Sequence, residues 1–362
     1  MLTLRHNGNN LTNFKSARVL RDIEQLCGTF SFTSTANEDN LFPVRGGDEV
    51  EVLADGMPLL SGYVDIPDMK YSLTKHDIKI SGRDKLSDLA DSTIAKPVEF
   101  SPGIGIVTIA ETVLADLGIN VKVINKAGTI KNFSDTEKES SGVGENAFSF
   151  VESFARKRQI LLTSDFESNL VLLRGNPGTL PKLQHIVPGD DNNVKSARFR
   201  ENIKERYYKY IVQAQLDPYF QDVDMSAEDM ASQVGRAFDN SVRKSRVLEL
   251  ISEESSNSET ATERAIWEAN IRRARSFMYT ATVAGHSVNG KIWDYNNLSE
   301  IVDSFADLNG QFLCRQAEYL YDIGGSTTNL IYTYKDAFTL QAEQAQREAS
   351  QGNQGEGFFS GL

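Results

Sequence analysis

Cysteine is almost missing from this 362-residue chain: Cys27 and Cys314 stand far apart and share no metal-ligand spacing. That excludes a disulfide scaffold, and the two read as buried free thiols of a protein assembled in a reducing compartment. Histidine is equally sparse. His6, His76, His185 and His286 are isolated, with no H-E-x-x-H pattern and no Cys/His frame for a metal. No G-x-S-x-G elbow and no Walker phosphate loop occurs. No apolar run approaches the roughly 18 residues of a membrane span. Met1 to His6 has no signal-peptide core, so a mature N-terminus is expected. Positive charge is in deficit, 38 Lys+Arg against 50 Asp+Glu for a net of −12, which suits a chain that repels phosphates and not one that grips nucleic acid. The hydrophobic fraction of 40% and charged fraction of 24% are those of a globular protein, and the length calls for about two to four domains.

What is present is mostly β signal. Glu49-Val50-Glu51-Val52 alternates polar and apolar, as a half-buried strand does, and Asp55-Gly56 turns the chain into a return strand from Leu59 to Ile66. Pro67-Asp68 is expected to stop that strand. Lys70 to Thr74 and Asp77 to Ser81 alternate again, and Ala17 to Val19 and Thr29 to Thr33 predict two further strands upstream. Short strands joined by tight turns point to a small barrel or sandwich. Ile106, Ile109, Ala110, Val113, Leu114 and Leu117 then fall on one helical face, with Gly118 as the stop. A strand is expected from Ile119 to Ile124, a second helix over Glu145–Lys157, and a hairpin from Ile160–Thr163 to Leu170–Leu173, which makes residues 95–177 a separate α+β unit. Val194 to Gln213 predicts a long hairpin, Leu216 to Lys244 a polar insertion, Ser252 to Glu259 a mobile stretch, and Thr260 with Glu263 a capping box opening a helix to about Arg275. The tail from Gln341 is expected to be flexible, its Phe358-Phe359 idle or anchored on a neighbour.

Two segments about 250 residues apart follow one pattern. Gly47–Val52, Leu60–Val64, Tyr71–Leu73 and Asp77–Asp84 match Asn297–Val302, Gln311–Arg315, Tyr319–Tyr321 and Asn329–Asp336 in order and spacing. The repeat favours a strand over a helix at Asn297–Val302, although Leu298, Ile301, Val302 and Phe305 also fit a helical face. The search for chemistry yields no catalytic, no cofactor-binding and no metal-ligating residues. Gly103-Ile104-Gly105 reads as a helix start, with Thr108 where a dinucleotide turn needs glycine. Asp190-Asp191 and Asp222 with Asp224 lack an EF-hand frame. Arg156-Lys157-Arg158 and Arg272, Arg273 and Arg275 suit helix C-termini, the second cluster with partner binding as the alternative.

Ile80-Ser81-Gly82-Arg83-Asp84-Lys85-Leu86, followed by Ser87 to Ser92, resembles the strand, Gly-Arg-Asp and short helix that close the first barrel of Mu-type contractile phage tail baseplate hub proteins. Gly144–Phe148, Gln159–Asp165, Asn169–Leu172, Trp293–Asn297 and Ala337-Phe338 continue the likeness over about residues 1–340. The resemblance implies a mainly β, α+β chain with two similar small antiparallel β-barrels, inserted α+β domains, and a trimeric, pseudo-hexameric ring. The expected division is 1–94 first barrel, 95–177 α+β domain, 178–276 connector with a long hairpin and inserted helix, 277–340 second barrel, and 341–362 tail. By the same resemblance the protein is no enzyme and needs no cofactor. It would be a virion protein assembled in the host cytoplasm, a homotrimeric symmetry adaptor between a hexameric tail tube and a trimeric central spike. Its neighbours would include baseplate wedge and tape measure proteins, with DNA passing through its channel unbound and no membrane insertion. The alternatives are the spike-hub base of a type VI-like or extracellular contractile injection system, a tail-associated peptidoglycan hydrolase, and a carbohydrate-binding β module.

Overall fold

Burial alternates along strands such as Leu2–His6, Thr29–Thr35 and Phe277–Ala284, as in a sheet with one wet and one dry face. The computed structural model describes residues 1–35, 43–73, 76–133, 139–175, 178–179, 182–185, 193–215, 234–255 and 258–338. The first stretch gives β1 (Leu2–His6), β2 (Asn9–Leu11), β3 (Ser16–Asp22), β4 (Thr29–Thr35), β5 (Glu49–Ala54), β6 (Met57–Tyr71), β7 (His76–Asp84) and the short helix α1 (Ser87–Asp91). The α+β segment follows with β8 (Glu99–Phe100), α2 (Ile106–Asp116), β9 (Val123–Lys126), β10 (Glu139–Ser140), α3 (Ala147–Lys157), β11 (Leu161–Ser164) and β12 (Leu170–Leu173). Then come β13 (Gly178–Thr179), β14 (Leu183–His185), β15 (Val194–Glu201), β16 (Lys209–Gln215), β17 (Val234–Phe238), β18 (Val247–Ser255) and α4 (Ser258–Ser276). The chain closes with β19 (Phe277–Ala284), β20 (Ser287–Val288), β21 (Lys291–Ile292), β22 (Asn297–Asp303), β23 (Leu308–Asp322) and β24 (Gly325–Tyr334).

The chain forms two units, residues 1–200 with 277–335, and residues 201–276 with 336–362. The first holds a 14-stranded sheet running β15-β19-β24-β23-β3-β4-β7-β6-β5-β1-β2, with β22 on the far side of β23. Among the described residues no pair closes this path into a ring, so the two separate barrels expected from the sequence are two stretches of one continuous, mainly antiparallel sheet. One apolar core, from Leu2, Val19 and Phe32 to Tyr279, Tyr319 and Leu330, underlies both stretches. The α+β segment has its own core, where Phe150 and Phe154 of α3 meet Ile109 and Val113 of α2 and Leu170 and Leu172 of β12. Gly118 takes φ +70° just past α2, and the Asn146 side chain caps α3 by accepting from Ser149 N at 2.9 Å. In the second unit α4 lies on the three-stranded sheet β17-β16-β18, its Ala261 and Ala265 against Tyr210 and Val212. Gly235 permits that approach, since a Cβ there would stand 2.1 Å from the Ala261 backbone.

Several expectations need correction. Pro67 does not end its strand: β6 continues to Tyr71 and absorbs the stretch from Lys70, because a bulge at Asp65 re-aims the chain and Pro is tolerated at an edge. The strand at Ile119 begins only at Val123. Val194 to Gln213 is no hairpin, as β15 pairs with β19 while β16 pairs with β17 and β18. β18 reaches Ser255 and α4 starts at Ser258, placing Thr260 inside the helix and not at its cap. The segment at Asn297 is a strand, as the repeat predicts.

Candidate functional site

The functional geometry is a duplication. Strands β3-β4-β7-β6-β5 lie in the same order as β15-β19-β24-β23-β22. Each copy has a 15-residue fourth strand, and its register breaks at the same place, at Asp65 between Val64 and Ile66 and at Arg315 between Cys314 and Gln316. Gln316–Tyr321 therefore correspond to Ile66–Tyr71. Matching bulges matter because a bulge sets local twist, so both copies curve alike.

The copies are joined inside the chain by an antiparallel seam, β23 against β3, from Gln316↔Asp22 to Tyr321↔Ala17. Val19 and Tyr319 face each other there, both wholly buried. On the opposite face Arg18 Nε donates to Glu318 Oε1 at 2.6 Å.

The Gly-Arg-Asp motif sits where β7 meets β6 and β4, and each residue has a physical reason. A Cβ at Gly82 would lie 2.0 Å from the Tyr63 carbonyl oxygen and 2.5 Å from the Phe30 ring. Arg83 ties the bulge to α1, with Nε donating to Asp65 at 2.7 Å and a guanidinium nitrogen to Asp91 at 2.7 Å. Asp84 is buried and accepts from the backbone N–H of Gly28 at 2.6 Å and of Leu86 at 3.1 Å. Burial pushes its carboxyl up to about 6, against the opposing pull of those hydrogen bonds and of Arg21.

Arg21, on the seam, reaches into a buried polar cluster that fastens the α+β segment to the sheet. Its guanidinium donates to Asp294 at 3.1 Å and to the Ser164 carbonyl at 2.9 Å, and lies 4.2 Å over the Phe166 ring. Tyr295 also donates to the Ser164 carbonyl, and the Thr163 hydroxyl donates to the Gln25 carbonyl at 3.1 Å. Burial raises Asp294 above the usual carboxylate range, opposed by the adjacent Arg21 charge. The cluster borders an open cleft of about 780 Å³ that also takes in Lys126, Asp165 and Lys291. The geometry is that of a fastening.

The histidines keep separate surroundings. His6 Nε2 is 3.1 Å from Asp48, His76 stacks on Tyr71, and His286 is buried beside Thr328, which pulls it down to about 4 through desolvation. The side chain of His185 lies outside the described residues, as do Asp190, Asp191, Asp222, Asp224, most of the polar insertion and the tail with Phe358 and Phe359. Among the described residues no group of three or more His, Cys, Asp or Glu could hold a metal. Arg158 donates to the carbonyls of Lys131 and Asn132 and stacks on Phe133, while Arg272 pairs with Glu268 and Arg273 with Asp336.

Sequence reasoning missed the first strand of the second copy. Lys15-Ser16-Ala17-Arg18 on β3 recurs letter for letter as Lys195-Ser196-Ala197-Arg198 on β15. That recurrence was the available signal, and the apparent hairpin to β16 obscured it.

Comparisons with known proteins agree with this architecture. Residues 1–84 match the family described as Mu phage baseplate assembly protein GpP-like, N-terminal. No curated protein sequence matches. The 43 kDa tail protein of prophage MuSo2 from Shewanella oneidensis superimposes with TM-score 0.78 at 24% identity, covering 94% of this chain and 99% of that one. A tail protein from Neisseria meningitidis MC58 gives TM-score 0.76 at 17% identity, covering 93% and 98%. A type VI secretion system component from E. coli, described as structurally similar to T4 bacteriophage tail proteins, gives 0.57 at 8% identity over 93% and 78%. With Gly82, Arg83 and Asp84 closing the matched segment and the strand unit recurring beyond it, residues 1–84 resemble the N-terminal domain of the Mu phage baseplate GpP-like family, on a chain with the fold of prophage tail proteins.

Proposed function

We propose that this chain is the central hub of a contractile phage tail baseplate, a non-enzymatic homotrimer that adapts symmetry between a hexameric tail tube and a trimeric spike. The observation that carries the reading is the duplicated strand unit with matching bulges. Two similar units per chain let three chains present six similar surfaces to the tube while the rest of each chain keeps threefold symmetry for the spike. In this reading the two units become barrel-like modules, residues 1–94 and 277–340, once neighbouring chains supply their missing strand partners, and residues 95–177 and 178–276 are the inserted and connecting domains. DNA passes the channel without specific binding, in keeping with a net charge of −12. Wedge and tape measure proteins are the expected further partners, and the virion baseplate the expected location.

A second reading, the spike-hub base of a type VI-like or other contractile injection system, draws on the similarity to the E. coli type VI component. Light scattering on the purified full chain tests the main proposal. It should give three times the 40.2 kDa chain mass, and imaging should show a ring of six similar lobes. A particle of other stoichiometry, or a monomer at high concentration with spike and tube proteins present, refutes it. Binding to a phage tube protein in preference to a secretion tube protein separates the two readings.

A further inference from the structure

The open cleft beside Arg21 holds about 780 Å³, within the size range of ligand pockets. Met57 and Pro58 at the start of β6, Ile292 of β21, and Val171 and Leu173 of β12 give it apolar walls. Its charged groups differ in how far they are already engaged. Asp165 accepts from the backbone N–H groups of Glu167 and Asn169, each at 2.9 Å, and from the Asn169 side chain at 3.0 Å. Asp294 accepts from Arg21 at 3.1 Å and from the Tyr295 N–H at 2.9 Å. The cations keep donors to spare. Lys126, ending β9, and Lys291, opening β21, are exposed and form no ion pair or side-chain hydrogen bond among the described residues. Arg21 Nε, buried at the cleft wall, has no hydrogen-bond partner among them either. Three cations therefore face two carboxylates, a surplus of one positive charge on a chain of net −12.

We infer that this cleft binds a peptide segment of another protein that carries one carboxylate flanked by apolar side chains. The carboxylate sits between Lys126 and Lys291, whose flexible stems adjust to it. The apolar side chains lie against Met57, Val171, Leu173 and Ile292. The surplus charge sets the ligand class. One carboxylate neutralises it, whereas a phosphate dianion or a nucleic acid would face Asp165 and Asp294 with charge left uncompensated. Shape decides for a peptide. The cleft is open to solvent, so a small acid would stay largely wet, while a peptide buries successive side chains along it. Lys126 belongs to the α+β segment and Lys291 to the strands after α4, so the ligand spans the same junction that Arg21 fastens. The site lies within one chain and depends neither on copy number nor on the hub reading.

The test is a peptide array probed with the purified full chain. A central residue and its two neighbours are varied through all residue types within Gly-Ser flanks, and Kd is measured by fluorescence anisotropy for the strongest peptides. The expected winners carry Asp or Glu at the centre with Leu, Ile, Phe or Met beside it. Changing that acid to its amide should weaken binding about tenfold, as should Lys126→Glu or Lys291→Glu, since each removes a charge-assisted hydrogen bond. A peptide with Lys at the centre should bind the Lys126→Glu, Lys291→Glu double variant better than the native chain. Melting of the unliganded variants should be unchanged, because both lysines are exposed and outside any ion pair among the described residues. An array in which no peptide binds, or in which basic or uncharged peptides win, overturns the proposal. So does full binding of the acidic peptides by the double variant. Phenylbutyrate that displaces the peptide with equal affinity marks a small-acid site and overturns the peptide assignment.

Discussion

Replacing Arg21 by Met should be among the most damaging single changes available in the larger unit. The side chain is almost fully buried, and its removal strands Asp294 and the Ser164 carbonyl while conserving much of the packing volume. Breaking a buried ion pair by deleting one partner costs about 3–5 kcal/mol, most of it the penalty of the orphaned charge. Two features favour the lower end: the Asp294 side chain keeps 20% of its surface, and Arg21 Nε has no hydrogen-bond partner among the described residues. At about 2–4 °C per kcal/mol for a unit of this size, melting should fall by roughly 6–12 °C at pH 7. The deficit should narrow toward pH 5, because Asp294 can take up a proton once the guanidinium is gone and burial already favours its neutral form. Asp294→Asn in the Arg21→Met background should recover about 1–3 kcal/mol, the coupling expected of contacting groups. Calorimetry of the four proteins across that pH range measures every quantity. A shift below 2 °C, or a double variant no better than the single one, refutes the claim that this pair fastens the α+β segment to the sheet.

Gly82→Ala should abolish soluble, folded protein, because the added carbon meets a carbonyl oxygen of the adjacent strand at 2.0 Å; Gly56→Ala, in open space at a turn, should fold, and circular dichroism with a solubility assay compares them. Asp84 makes stability pH-dependent with an inverted sign. Its folded value near 6 exceeds the 3.8 of the unfolded chain, so its contribution is full below about pH 4, declines as pH rises to 6 and is flat above. The span is on the order of 3 kcal/mol, read by urea titration from pH 4 to 7. Asp84→Asn should lose that slope yet be less stable at pH 7 by about 1–3 kcal/mol, since an amide nitrogen would face the N–H of Gly28 or Leu86. Asn146→Ala removes the α3 cap and a 2.7 Å bond to the Ala90 carbonyl, and should cost about 1–2 kcal/mol by thermal melting.

The sequence by itself determined the local elements and their repetition. Period-two alternation places β5 and β7, helical spacing places α2 and α3, and the matching order of segments announces a duplicated strand unit that Asp65 and Arg315 then mark with equal bulges. Those signals are local, because side-chain direction follows from backbone geometry within a few residues. Only the tertiary structure decided which strand lies beside which. It gave β15 to the large sheet and β16 to the small one, carried β6 past Pro67, and set Arg21 against Asp294 across 273 residues of chain. Alternation says which face of a strand is dry but nothing about its neighbours. Edge pairing is settled by backbone hydrogen bonds, which every residue except proline offers alike.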